Sequence, residues 1–269
     1  MLNNYKQLTG RYLKANKKRT LLTIIGIVLS VALIATIGFF IVGMQQAEID
    51  SIKNDYGSWH VSFSKPSSDV ISKVTNNPKV SRSGLYQMDE NIIVGEGVRV
   101  SPIIATDRAL ELLPCKIKEG RFPENKNEAA VENWVLPHIN KDAKIGEKIK
   151  LDNREYTLVG ILQDSVASQV QGSGIFLSKS NNIDSTKAVL LAEISPKTNL
   201  GNAVKELDSL TNEKIVKTDA QGKKVTVSSV VNNSPLIDIQ GGGDGKKGIS
   251  QLYTSVAVSY THLTLPTKA

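Results

Sequence analysis

Three kinds of residue in this sequence could do chemistry: the histidines His60, His138 and His262, the single cysteine Cys115, and the glycine-rich run GGGDGKKG at 241–248. Two histidines spaced as His-Glu-x-x-His would hold zinc, and Gly-x-Ser-x-Gly would present a nucleophile. Gly-x-x-x-x-Gly-Lys-Ser/Thr would cradle a phosphate. The chain contains none of these patterns, and no frame of the glycine run puts Ser or Thr after its lysines. His60 and His138 lie far apart beside Trp59 and Pro137 and read as ordinary half-buried histidines. A lone cysteine excludes an intrachain disulfide, and Cys115 reads as a small buried apolar residue. Asp and Glu are scattered singly over predicted turns and helix faces. No catalytic, cofactor-binding or metal-ligating residue is assigned, no cofactor is expected, and the chain is not read as an enzyme.

The elements that surround these residues explain why. From Thr20 to Ala47 no charged residue occurs, and the apolar core Leu21–Met44 has 24 residues. As a helix rising about 1.5 Å per residue it spans about 36 Å, enough for a hydrocarbon layer of about 30 Å with some tilt. A secretory signal would have a shorter apolar stretch and a small-x-small cleavage site, which VGMQQAEID does not offer. A retained transmembrane helix over 20–46 is predicted. Within it Gly26 and Ser30 form a small-xxx-small pair, a surface for packing on another helix.

Charge gives this helix a direction. Lys6, Arg11, Lys14, Lys17, Lys18 and Arg19 all precede it, and no acidic residue occurs before Glu48. Lys14, Lys17, Lys18 and Arg19 are the membrane-orienting group: basic residues beside a span stay inside, so the N-terminus is predicted cytoplasmic and the remainder extracytoplasmic. Six of the 33 basic residues are thereby spent at the membrane, leaving 27 against 26 acidic ones. A near-neutral body argues against nucleic-acid binding. Residues 1–19 read as a cytoplasmic basic segment, with Tyr5, Leu8, Tyr12 and Leu13 at the spacing of a short interfacial helix.

The body, 47–240, alternates helical and strand signals. The helix continues a few turns past the membrane and breaks at Gly57. Strands are predicted at 59–63, on either side of Gly95 and Gly97, at 129–131, and as a hairpin at 147–151 and 155–162. SGIFLS, AVLLAEIS and KKVTVSSVV are further strands. Helices are predicted over SSDVISKV with a Ser/Asp cap, over ALELLP, through Trp134 and Leu136, and from Asn199. Such intermixing points to an α+β domain rather than a doubly wound sheet. Residues 241–257 read as a glycine-rich return and the start of a second membrane helix.

In EGRFPENKNEAAVENWVLPHI and KIGEKIKLDNREYTLVGILQD the chain resembles the extracytoplasmic core domain of MacB/FtsX-type ABC transporter permeases. The residues that carry the likeness are Gly120, Arg121, Phe122, Ala130, Val131, Gly146, Ile149, Leu151, Tyr156, Leu158, Val159, Gly160 and Ile161. LTGRYLKANKKRTLLTIIGIVLSVALI is similar to their leading segment. The resemblance implies a transmembrane helix, a MacB-like core domain and three later helices. It also implies pairing as a homo- or heterodimer and a cytoplasmic ABC ATPase as partner. The function it implies is export or mobilisation of peptide, lipid or drug-like substrates. The later helices are absent, and AVSYTHLTLPTKA (258–269 in the main) resembles the translation of a library adapter. A truncated chain of this kind is expected to insert but not to transport. The other reading is a single-pass surface protein whose outer domain binds ligand or regulates a cell-wall hydrolase.

Overall fold

The structure, a computed structural model, describes residues 17–218 and 223–242. Lys14 and the rest of the leading basic segment, the return from 243 and the final tail lie outside the described residues. The chain divides into two compact units, Met1–Glu48 and Ile49–Ala269.

The first unit contains most of helix α1 (Lys17–Tyr56), in which no residue is buried. Its side-chain hydroxyls bond back to its own carbonyls: Thr23 to Arg19, Ser30 to Gly26 and Thr36 to Ala32, at 2.8–3.0 Å. With these polar groups satisfied internally, its surface from Leu21 to Met44 is apolar all round. It is long and apolar enough to cross a membrane.

The second unit is a sheet clad on both faces. Its strands are β1 (Val61–Ser64), β2 (Val80–Met88), β3 (Ile92–Ile93), β4 (Arg99–Ala105), β5 (Ile117–Gly120), β6 (Glu128–Glu132) and β7 (Lys148–Leu151). They continue with β8 (Arg154–Leu162), β9 (Ser173–Lys179), β10 (Val189–Ile194), β11 (Lys214–Thr218), β12 (Lys224–Ser228) and β13 (Val230–Asn232). The helices are α2 (Ser68–Thr75), α3 (Asp107–Leu110), α4 (Leu136–Ile139), α5 (Val166–Gln171), α6 (Leu200–Asp208) and α7 (Ser234–Ile239). Spatial order is β13-β1-β10-β2-β4-β9-β6-β8-β5, with β3 beside β4 and β7 beside β8; β11 and β12 form a separate hairpin. Two pairs, β4 with β9 and β6 with β8, run parallel and the others antiparallel. The α+β class is present in the structure, the expected Ser/Asp cap is Ser67, and Asn199 caps the helix expected to begin near it.

Alternation along the strands sorts the core. Leu190 and Ala192 join Phe63, α2 and α6 in one cluster, while Leu191 faces the opposite side with Ile103, Leu177, Leu162 and the α3 segment. Phe176, Val131 and Leu158 form a third cluster with the β7–β8 hairpin and α4. Register places the first and third clusters on the same face, apart along the sheet.

Some expectations need correction. The helix expected through Trp134 begins only at Leu136, because the Trp134 N–H donates to Asp164 Oδ1 at 2.8 Å and holds that residue in a turn. KKVTVSSVV is two strands, not one. Ser229 breaks it by donating its N–H to Glu213 O and accepting from Ser64 N–H, so the chain changes partner from β11 to β1. His60 is buried rather than half-buried.

The end of β5 and β8 approach each other closely, backbone to backbone. A Cβ on Gly160 would lie 2.2 Å from Arg121 O, and one on Gly120 would lie 2.2 Å from Val159 O, at a φ of +79°. Gly160→Ala must therefore spread the two strands. We expect a loss of about 2–3 kcal/mol in unfolding free energy, read from denaturant melts of the full chain in detergent; a loss below about 0.5 kcal/mol would contradict this packing.

Candidate functional site

The residues singled out by family pattern converge on one corner of the sheet. Gly120, Arg121 and Phe122 leave β5 beside Val159 and Gly160 of β8, and the Arg121 N–H donates to Val159 O at 3.0 Å. The Arg121 guanidinium grips Glu128 at the start of β6 with two bonds of 2.7 and 2.9 Å. Glu128 also accepts from Glu124 N–H and the Asn125 amide, and the Arg121 bond first of all holds its carboxyl well below the usual range. Phe122 packs on the second core cluster. Gly146 turns the chain into β7 at a φ of +95° and donates its N–H to Leu158 O. This corner is a fastening: it offers no free nucleophile and no open acid–base pair.

Gly26 and Ser30 lie together one turn apart on α1, with open space around Gly26. Lys17, Lys18 and Arg19 occupy its first turn, all exposed. Cys115 is half-buried against the second cluster, and burial pushes its thiol up to about 12, leaving it an inert thiol at neutral pH. His138 Nδ1 lies 3.5 Å from Glu96 Oε2. Among the described residues no group of three His, Cys, Asp or Glu could hold a metal ion.

Two arrangements escaped sequence reading. The first is a buried carboxylate: Glu132 is 1% exposed and takes four donors, Ile175 N–H, Ser165 N–H, Ser168 Oγ and Trp134 Nε1, at 2.9–3.1 Å. Burial pushes its carboxyl upward and the four donors oppose that. It knots β6, β9 and the α5 cap together, and Gly174 admits Val135 beside it.

The second is the root of the domain, where α1 ends. Gly57 closes the helix at a φ of +90°, with its N–H on Lys53 O. A Cβ there would lie 2.4 Å from Leu112 O, so only glycine allows this turn. Asn233, at the start of α7, donates its side-chain amide to Gly57 O (3.2 Å) and Trp59 O (2.9 Å), and its backbone N–H to His60 O. His60 Nδ1 accepts from Ile194 N–H at 3.0 Å, which fixes the proton on Nε2, and Nε2 donates to Gln240 Oε1 at 2.7 Å. Ser58 bonds to the 111–112 segment, and Glu111 shares Arg82 with Glu193. Gln240, just past α7, is thus bonded to His60, three residues beyond the turn at Gly57. Asn-Ser-Pro at 233–235 carries a helix-start signal that could have revealed α7; the pairing of residues 180 apart carries none.

With this geometry in hand, comparison decides the family. The family model described as the MacB-like periplasmic core domain matches residues 20–210. The chain belongs to that family. Among solved structures it is similar to the periplasmic region of MacB from Actinobacillus actinomycetemcomitans. That match has a TM-score of 0.43 at 14% identity and covers 70% of this chain and 94% of that one. It is also similar to the extracellular domain of the noncanonic ABC-type transporter YknZ from Gram-positive bacteria. There the TM-score is 0.41 at 11% identity, over 55% of this chain and 88% of that one. No curated protein matches.

Acid is expected to loosen the root of this MacB-like domain. Burial, first of all, lowers the His60 pKa below its ordinary 6.5. The unfolded ring then holds more protons than the folded one as pH falls below about 6.5, so stability drops with acid. We expect the unfolding free energy of the full chain to fall between pH 7 and pH 5. His60→Asn keeps an acceptor for Ile194 N–H but cannot titrate, and should fall less over the same interval. Parallel pH profiles in chemical denaturation would contradict the assignment.

Proposed function

We propose that this chain is the membrane subunit of an ABC transporter of the MacB/FtsX type. Its N-terminus is cytoplasmic, its core domain, 47–240, is extracytoplasmic, and ATP is hydrolysed by a separate cytoplasmic ATPase. Two such subunits pair, with the Gly26–Ser30 surface available for close helix packing. The domain then exports or mobilises a peptide, lipid or drug-like substrate. Family membership supports this reading, and one observation carries it: α7 and Gln240 are bonded to the segment from Gly57 to His60, where α1 hands over to the sheet.

A domain whose two ends are adjacent fits as an insertion between consecutive membrane segments. Motion of α1 would reach the β-sheet through Gly57, which is rigidly packed on Leu112, and through Asn233, which ties the first turn of the domain to α7. The same hydrogen bonds pass the displacement to the outgoing chain at Gln240. No catalytic group of the domain is required for such a lever; work is done by ATP on the other side of the membrane.

The native reading frame beyond Tyr253 tests this proposal. Three further hydrophobic stretches of membrane length are expected, and protein purified from its natural host should bring an ABC ATPase with it. A stop codon at that point, with no ATPase recovered, would contradict the transporter reading and favour a single-pass surface protein.

A further inference from the structure

We propose that the open trough on the sheet face between the first and third core clusters is a binding site for an uncharged glycan. The inference goes beyond the transporter reading and does not rest on it. A depression of about 670 Å³ adjoins one of about 320 Å³, and Asp89, Ile104, Arg154, Tyr156 and Ser178 line both, so the two are one trough. Its floor is bare sheet. Gln87 faces Ile104 across β2–β4, and Ile104 is level with Ser178 across β4–β9. Among the described residues no helix lines it. The floor offers Gln87 and Ser178 where the covered stretches of the same face are apolar. An apolar partner would strip water from these groups and is a poor fit.

Nor does the trough favour a charged ligand. Its lining carries the carboxylates of Asp89, Glu90, Asp152, Glu155 and Asp184 and the cations of Lys126, Arg154, Lys179 and Lys187. Asp89 accepts from Lys187 Nζ at 2.9 Å, Glu155 pairs with Lys148, and Lys179 pairs with Asp107. Asp184 accepts the N–H and hydroxyl of Thr186, which hold its carboxyl below the usual range. Among the described residues Glu90 and Asp152 on one side, and Lys126 and Arg154 on the other, are left without an ion pair. Two charges balance two.

What the trough holds in place is a row of groups suited to hydroxyls. Gln87 is buried, donates its amide to Asp89 at 3.1 Å and accepts the Asp184 N–H at 2.7 Å. Hydrogen bonds thus run from Lys187 through Asp89, Gln87 and Asp184 to Thr186, and they fix both carboxylates. Those on Asp89 and Asp184 all fall on Oδ1, so among the described residues each keeps Oδ2 as an acceptor. The side-chain amides of Asn127 and Asn182 line the same trough, and each can both donate and accept. Tyr156 stands among them, its ring braced edge-on against Phe176 at 4.9 Å. A pyranose ring carries hydroxyls that donate and accept at once, around an apolar C–H face. The hydroxyls suit the carboxylate oxygens and amides, and the C–H face suits the Tyr156 ring. Water competes at so open a site, so binding is weak.

Amide chemical shifts of the ¹⁵N-labelled full chain in a polyoxyethylene detergent, which carries no sugar, test the site. The probes are fully N-acetylated chitotetraose, maltotetraose, and tetraglycine blocked at both ends. We expect saturable shifts at Tyr156, Ser178 and Asn182 with at least one tetrasaccharide. Tyr156→Leu removes the aromatic face but keeps an apolar side chain against Phe176, and should weaken binding at least about tenfold. Should that variant fail to fold, Asn182→Ala, which removes only an exposed amide, should weaken it about threefold. No saturation by either sugar up to about 50 mM, unchanged affinity in the folded variant, or peptide binding as tight as that of the sugars would overturn the proposal.

Discussion

The apolar surface of α1 constrains everything else in this protein. Fifteen large apolar side chains between Leu21 and Met44 are exposed along it. Removing each from water is worth roughly 1.5–3 kcal/mol, so the helix gains tens of kcal/mol on entering lipid. A domain of ordinary stability has only about 5–15 kcal/mol to set against that. The membrane therefore fixes where the helix lies. The helix in turn runs into the domain at Gly57. Lys17, Lys18 and Arg19 sit at one end of this surface, whereas the first acidic residue, Glu48, follows it, so the two ends are chemically unlike before any fold forms.

Past Gly57 the structure is built from fastenings between distant segments. Arg121 and Glu128 hold the exit of β5 to the start of β6, and Glu132 gathers β6, β9 and α5 around four donors. Arg82 joins β2 to β10 and to the segment after α3. Each fastening engages a charged group in hydrogen bonds, and at Glu132 these let a carboxylate be tolerated in the core. None leaves an acid, base or nucleophile free to react.

Much of this was legible in the sequence. The uncharged run announced α1, the Ser/Asp cap and Asn199 marked α2 and α6, and the hairpin expected at 147–151 and 155–162 marked β7 and β8. β2 was not legible, although it is central in the sheet. VSRSGLYQM does not alternate, because Arg82 is engaged by Glu193 and Glu111, and Gly84 is bare where Ala109 N would lie 2.3 Å from its Cβ. Trp134 looked helical by spacing, but its N–H groups serve Asp164 and Glu132 instead. The family-pattern glycines could be named from sequence, yet their reason, the mutual approach of β5 and β8, is a long-range contact. Asn233, His60 and Gln240 form the root across nearly the whole domain, and no local pattern encodes such a pairing.

The sidedness of the two ends of α1 tests the account most directly. In a Cys115→Ala background, Lys205→Cys places a thiol on the exposed side of α6, and Lys17→Cys places one at the start of α1. A membrane-impermeant maleimide applied to intact cells should label Lys205→Cys at once and Lys17→Cys only after the membrane is opened. Labelling of Lys17→Cys from outside, with Lys205→Cys protected until lysis, would contradict it.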